Sequence, residues 1–525
     1  MNRLLSNPQS MMSILLGSAA LIGVGYAILF WPYFIDDSYI TFAYSKNFAL
    51  GNGLVLRPTT NVEATSSFLW ALLLGISSAA TSITAPIASK ILGALSWFGA
   101  ISCVLWIFSQ GINKSQIYTL FITVPISVSF GLWSNYGMEN GLLGLLCMLA
   151  TIFLPRQNRN FEFIFSPLVL LSIYTIRPEG FGLVATLLCS EFIRRSVGRQ
   201  AVIVTAGITA IGVIGYEIYG YLNYGTFLPD SALAKLNEPL IDRIYYGMAY
   251  TYRYAWFDWP VILCLISACY DLWKRKIQIR LPQQASIILG LALVFACVIF
   301  VLISGGDWMP AARFYSFLIP FCFGYMTWSL TREVRLRSGL LLVFVLLSIA
   351  SQIKALHDAF PSVVAMQRGE DLTLQKIVDD MNPYAKPSDV LALSDIGYAS
   401  YAFVGDIFDW WGLASRVVRN KGEAIGKITS ETIRNADPHF IVVYSNSSDG
   451  PSIIDTPKQV TKTSLPIIED RKLMNNYCRL KSYIFWEDRW HVVIARKDVW
   501  LERFKDKIDT EFEIKSCIQT VREYR

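Results

Sequence analysis

Up to about residue 353 the apolar positions do not recur at a strand or amphipathic-helix period; they run together in stretches of roughly 15 to 25 residues, separated by short polar connections. Wound as helices, the longer stretches reach across a hydrocarbon core of roughly 30 Å, so the pattern predicts a polytopic bundle. Beyond residue 353 the pattern changes. There DLTLQKIVDDM has helical spacing, VLALSDIG and FIVVYSN are short apolar runs closed by turn residues, and YIFWEDRWHVVIAR reads as a hairpin turning near Glu487 and Asp488. The expected fold class is mostly α, a transmembrane helical bundle over 1–353 followed by an α/β domain over 354–525.

Orientation follows from the Lys and Arg between apolar runs. PRQNRN (155–160), EFIRRSVGR (191–199), DLWKRKIQIR (271–280) and TREVRLR (331–337) are the basic connections and are expected to be cytoplasmic. The loops at 32–65, 132–140, 177–180, 221–258 and 304–312 then face outward, together with the C-terminal domain, and the N-terminus is cytoplasmic. Three apolar runs separate the outward loops at 32–65 and 132–140, where parity requires an even number. The short run at about 66–79 is therefore expected to lie beside the membrane or re-enter it, leaving about eleven spans. The first run, MMSILLGSAALIGVGYAILFW, is longer than a signal-peptide core and no small-residue cleavage site precedes Trp31, so it reads as a span.

Composition agrees. A chain of 525 residues that is 53% hydrophobic is too apolar for one ordinary soluble domain. Its net charge of +6 suits loops beside anionic lipid, not a nucleic-acid partner. Seven of nine cysteines fall in apolar runs; Cys478 and Cys517 lie in the C-terminal domain, and spacing leaves their pairing open. His357, His439 and His491 are far apart and read as surface or satisfied histidines, and no Ser-His-Asp order, Walker loop or dinucleotide fingerprint is present.

Candidate chemistry sits in the outward loops. Asp36 and Asp37 open the first, followed by Arg57 and Glu63; Glu139 lies in WSNYGMEN, Arg177 and Glu179 in YTIRPEG, Lys235 in YGTFLPDSALAK, and Asp307, Trp308 and Arg313 in GGDWMPAARF. Alone, each has an ordinary reading, as a helix end, a turn, a snorkelling arginine or a solvated lysine. Ionisable groups at the edge of hydrocarbon are costly unless they pair or line a polar cavity. Several converging on one face therefore suggest a site for an anionic ligand and a base.

DDSYITFAYSKNFALGNGLVLRPTTNVEATSSFLW, WSNYGMEN, RPEG, YGTFLPDSALAK, GGDWMPAARF and SDIGYASYAFVGDIFDWWGLAS together resemble the signature segments of polytopic GT-C glycosyltransferases, and most closely the terminal arabinofuranosyltransferases of the mycobacterial AftB type. The resemblance runs in order from about residue 30 to 415. It implies transfer of a sugar, arabinofuranose in that family, from a polyprenyl-phosphate donor to a cell-envelope glycan at the outer face of the bacterial cytoplasmic membrane. It implies Asp36 or Asp37 as the catalytic base, Arg313, Arg177 and Lys235 on the donor phosphate, and Glu63, Glu139, Glu179, Asp307 and Trp308 supporting the cations or the sugar. A divalent cation (Mg, Mn or Ca) would fall to Asp36 and Asp37, though spacing does not establish one. Two other classes use similar residues: a lipid-linked-sugar flippase, for which charges nearer mid-membrane are expected, and a non-catalytic envelope glycan-binding protein, which has no need of the Asp-Asp pair.

Overall fold

The computed structural model describes residues 8–60, 62–109, 114–156, 160–194, 198–227, 239–274, 277, 284–331, 337–412, 414–415, 429–445, 467, 469–486 and 489–504. Lys235, Glu487, Asp488 and Cys517 lie outside the described residues. The chain begins with α1 (Pro8–Phe30), α2 (Asp36–Ala49), α3 (Phe68–Thr81) and α4 (Ala85–Ser109). It continues through α5 (Lys114–Thr123), α6 (Val128–Asn135), α7 (Asn140–Phe153), α8 (Asn160–Ile176), α9 (Gly180–Arg194), α10 (Arg199–Tyr224), α11 (Leu240–Arg253) and α12 (Ala255–Trp273). Then come α13 (Ala285–Ser304), the single turn α14 (Arg313–Ser316), α15 (Ile319–Thr331) and α16 (Arg337–Gly369).

The chain is a multi-pass membrane protein. Among the described residues α4, α10, α13 and the rod of residues 339–381 are long and apolar enough to cross a membrane, and α5 with α6, bent by 51°, would make a fifth span. The other apolar helices are shorter than the runs that predict them. Prolines inside two of them, Pro167 in α8 and Pro260 in α12, interrupt the backbone ladder. The 14-residue α3 packs along α2.

Close helix approach depends on residues without bulk. At Gly93 a Cβ would stand 1.9 Å from the Ser134 carbonyl oxygen, so α4 and α6 cross almost backbone to backbone. Three residues earlier Lys90 is buried, and its ammonium donates to the carbonyls of Phe30 (3.0 Å), Asn135 (2.6 Å) and Tyr33. One side chain thereby ties α4 to the ends of α1 and α6.

α16 does not stop at the compositional boundary. It runs to Gly369, passes into a π-helical turn (Glu370–Gln375) and ends as α17 (Lys376–Met381). The C-terminal domain adds β1 (Val390–Leu393), α18 (Gly397–Ala402), β2 (Asp406–Asp409), α19 (Ser430–Ala436), β3 (Phe440–Ser445), α20 (Arg471–Met474), β4 (Tyr477–Trp486), β5 (Arg489–Arg496) and α21 (Lys497–Arg503). The strands form one mixed sheet, ordered β2-β1-β3-β5-β4. β1 is parallel to both β2 and β3, and the last three strands are antiparallel. The expected β4–β5 pairing is present, and Cys478 on β4 is disulfide-bonded. The sheet shares its core with the first loop: Ile40, Tyr44, Leu54 and Leu56 pack in one cluster with Val378, Leu391, Phe403 and Phe440.

Replacing Lys90 by Met keeps the stem and leaves three buried carbonyls without their donor. A loss on the order of 3 kcal/mol is expected. Thermal unfolding in detergent checks this, with Lys90→Arg as the charge-retaining control.

Candidate active site

Asp36 and Asp37 are the first two residues of α2. The Asp36 carboxylate reaches across to the C-terminal domain and accepts the backbone N–H of Gly397 (2.9 Å) and of Tyr398 (2.8 Å) at the start of α18. Its own backbone N–H donates to Glu370 Oε1 at 3.0 Å, in the π-helical turn. Only glycine fits at position 397, because a Cβ would lie 1.9 Å from the Asp36 carbonyl oxygen. Further along, Lys46 donates to the Tyr401 carbonyl (2.9 Å) and Arg57 to the Ala399 carbonyl (2.8 Å). α2 and its loop thus offer an acid to one end of α18 and bases to the other, the sense that complements a helix dipole.

Burial raises the Asp36 carboxyl to about 7, and the negative charges of Asp395 and Asp37 push the same way against its two backbone hydrogen bonds. Asp37, next to it, is half-buried. Among the described residues no group of three or more His, Cys, Asp or Glu side chains is placed to hold a metal ion.

A second group gathers where α6–α7, α8–α9 and α13–α14 connect. Arg177 is buried between Glu139 (2.5 Å) and Glu179. Arg313 meets Asp307 at 2.6 Å, an ion contact lying outside hydrogen-bond direction. The two guanidinium groups flank one ring, at 5.4 Å and 5.2 Å from the centre of Phe314. The segment leading into Arg313 holds Ala311 and Ala312 at φ 58° and 53°, left-handed conformations that cost energy for residues other than glycine. Trp133 Nε1 donating to the Pro310 carbonyl (3.1 Å) and Asn140 donating to the Arg313 carbonyl (3.1 Å) hold it there.

The loop of residues 133–140 joins the two groups. Gly137, at φ 91°, packs on Ser38 beside the Asp pair, and Glu139 two residues on holds Arg177. The structure therefore brings Asp36 and Asp37 together at the junction with the C-terminal domain, and Glu139, Arg177, Glu179, Asp307 and Arg313 together beside it. Glu63 is buried and receives the Tyr216 hydroxyl at 3.1 Å. Trp308 is exposed.

Sequence reasoning missed Lys90, Glu370, Asp395, Tyr444 and His491. Asp395 lay in a quoted segment, SDIGY, but reads there as an ordinary turn acid. His491, expected to be surface or satisfied, is buried with neither ring nitrogen hydrogen-bonded among the described residues.

The fold is similar to that of ArnT from Cupriavidus metallidurans. Its crystal structure bound to undecaprenyl phosphate aligns with a TM-score of 0.53 at 9% identity, and the apo structure with 0.53 at 11%; each alignment covers 93% of this chain and 98% of ArnT. Residues 364–509 match a family described as a domain of unknown function, DUF8728. No curated protein matches the chain.

An acid whose folded pKa is raised contributes stability that is fully present below its unfolded value and lost as pH rises through the folded one. For Asp36 that window runs from 3.8 to about 7. The melting temperature in detergent is expected to fall across this range in the wild type and to fall less in Asp36→Asn. Parallel curves would show that Asp36 is not the group responsible.

Proposed function

We propose that the chain is a GT-C-type glycosyltransferase moving a sugar from a polyprenyl-phosphate carrier to a hydroxyl of an envelope glycan, at the outer face of a bacterial cytoplasmic membrane. The observation that carries this reading is the ArnT fold over 93% of the chain, with a carboxylate pair and two buried arginines at one end of the bundle. ArnT itself has been captured with undecaprenyl phosphate, which supports a polyprenyl-phosphate partner here. The AftB-like segments favour a pentofuranose such as arabinofuranose as the sugar.

The reaction needs a base, a leaving group and a way to hold charge. An acceptor O–H gives its proton to Asp36 or Asp37 as its oxygen bonds to the anomeric carbon. The bond from that carbon to the carrier oxygen breaks, and its electron pair leaves on the lipid phosphate. A carboxyl raised to about 7 suits the first role, because a base works best with a pKa near the working pH. Arg313 and Arg177 are preset for the second, since fixed ion pairs keep their planes oriented before substrate arrives. In that cluster three carboxylates meet two guanidinium groups. The further positive charge a phosphate needs is assigned to Lys235.

Two measurements test the assignment. Asp36→Asn and Asp37→Asn should leave membrane insertion intact, and at least one should lower transfer by roughly 10²–10⁴-fold. Full turnover in both would remove the pair from catalysis. With Asp36 as the base, the pH–rate profile rises with pH through about 7; a limb near the unperturbed 3.8 would point to a solvated carboxylate instead. Arg313→Lys keeps charge but not the planar fork, so it should raise the donor KM, Arg313→Ala should raise it more, and acceptor dependence should change less.

A further inference from the structure

The mechanism above leaves one buried imidazole unused. His491 on β5 is 3% exposed, and neither Nδ1 nor Nε2 has a hydrogen-bond partner among the described residues. Buried polar groups are nearly always paired, so an unpartnered ring is retained at a cost. Its Nε2 points at Asp395 Oδ2 from 3.6 Å, beyond hydrogen-bond reach. Asp395 takes the Tyr444 hydroxyl at 2.5 Å, and its side chain is 44% exposed, so it opens toward solvent. The rings of Tyr444 and Phe485 stand 4.6 Å and 5.0 Å from the imidazole.

The position of this cluster in the sheet matters. Asp395 follows the carboxyl end of β1 and Tyr444 lies near that of β3, two neighbouring parallel strands. Ligands of open α/β sheets bind beyond such ends. Two residues after Asp395, the N–H of Gly397 holds Asp36. The carboxyl ends of β1 and β3 therefore lie beside the candidate base.

We propose that this cluster at the strand ends binds the acceptor, a neutral hydroxyl-bearing sugar bridging Asp395 and His491, with a neighbouring hydroxyl within reach of Asp36 and Asp37. The proposal rests on the transferase reading for its substrate, and the chemistry selects the ligand class. Asp36 lies close enough to Asp37, Glu370 and Asp395 for the four acids to interact, a group that offers an anionic carrier no counter-charge and leaves the donor to the arginine cluster. A carboxylate accepts from sugar hydroxyls, an imidazole both gives and takes a proton in hydrogen bonding, and flanking aromatic rings cover the apolar face of a sugar ring.

The test uses the full chain in nanodiscs with labelled neutral pentofuranosyl and hexopyranosyl oligosaccharides as probes. Equilibrium binding is measured without donor, and KM is measured for donor and acceptor separately. Asp395→Asn, a near-isosteric change at a half-open side chain, and His491→Gln should each weaken oligosaccharide binding and raise the acceptor KM about tenfold. The donor KM should stay unchanged. Wild-type protein that binds no oligosaccharide of the panel, variants that bind as wild type does, or losses confined to the donor KM each overturn the proposal. Asp395-dependent binding in a protein with no transfer activity would sustain the strand-end site and sink the transferase reading. Transfer indifferent to both substitutions would do the reverse.

Discussion

The Asp36 carboxylate, accepting two N–H groups from the start of α18, is the contact on which the arrangement of this end of the molecule depends. It joins a residue of the first loop to one some 360 positions later, and it does so where Gly397 leaves no room for a side chain. The apolar cluster formed by the first loop and the sheet would hold the two parts near one another without fixing register, since burial of area is not directional. A carboxylate between two aligned N–H groups is directional. It sets which residues of the β1–α18 turn stand beside Asp37 and Glu370, and so determines what the candidate base can meet.

Elsewhere at this end the constraint is the same: charge removed from water is answered locally. Arg177 lies between two acids, Arg313 lies against one, and Lys90 is answered by three carbonyls and the face of the Phe34 ring. Breaking one partner of such a pair costs far more than the pair contributes, because the survivor is left buried and uncompensated. The arrangement is thus weak as a source of stability and strong as a source of position. The left-handed Ala311 and Ala312 fit this account, since a strained approach persists only where its surroundings over-determine it.

Much of the architecture was legible in the residue order. Uninterrupted apolar runs have few alternative fates, so the bundle was readable, as were β1, β3 and the β4–β5 pair from short runs closed by turn residues. What escaped were relations across distance. Arg177 reads as an open cation until Glu139, 38 positions earlier, is seen beside it. Lys90 sits in an apolar helix and finds its partners 45 to 60 residues away. His491, in a strand with apolar neighbours, gives no local sign that its nitrogens go unpaired. The change in composition near residue 353 marks where the chain leaves an apolar environment, whereas the helix itself continues to Gly369.

That continuity has a mechanical consequence. The 33 residues of α16 make a rod of about 50 Å, and a hydrocarbon layer of roughly 30 Å takes up only part of it. The remainder is a helical post carrying Pro361, and it leads through α17 and the short connection 382–389 into the sheet. For the proposed transferase, such a mounting would keep the domain near one height above the lipid headgroups. In the proposed transferase, a growing acceptor chain would have to bring its end down to that level, which would make altitude above the bilayer a selection rule in its own right, independent of which sugar the chain end carries.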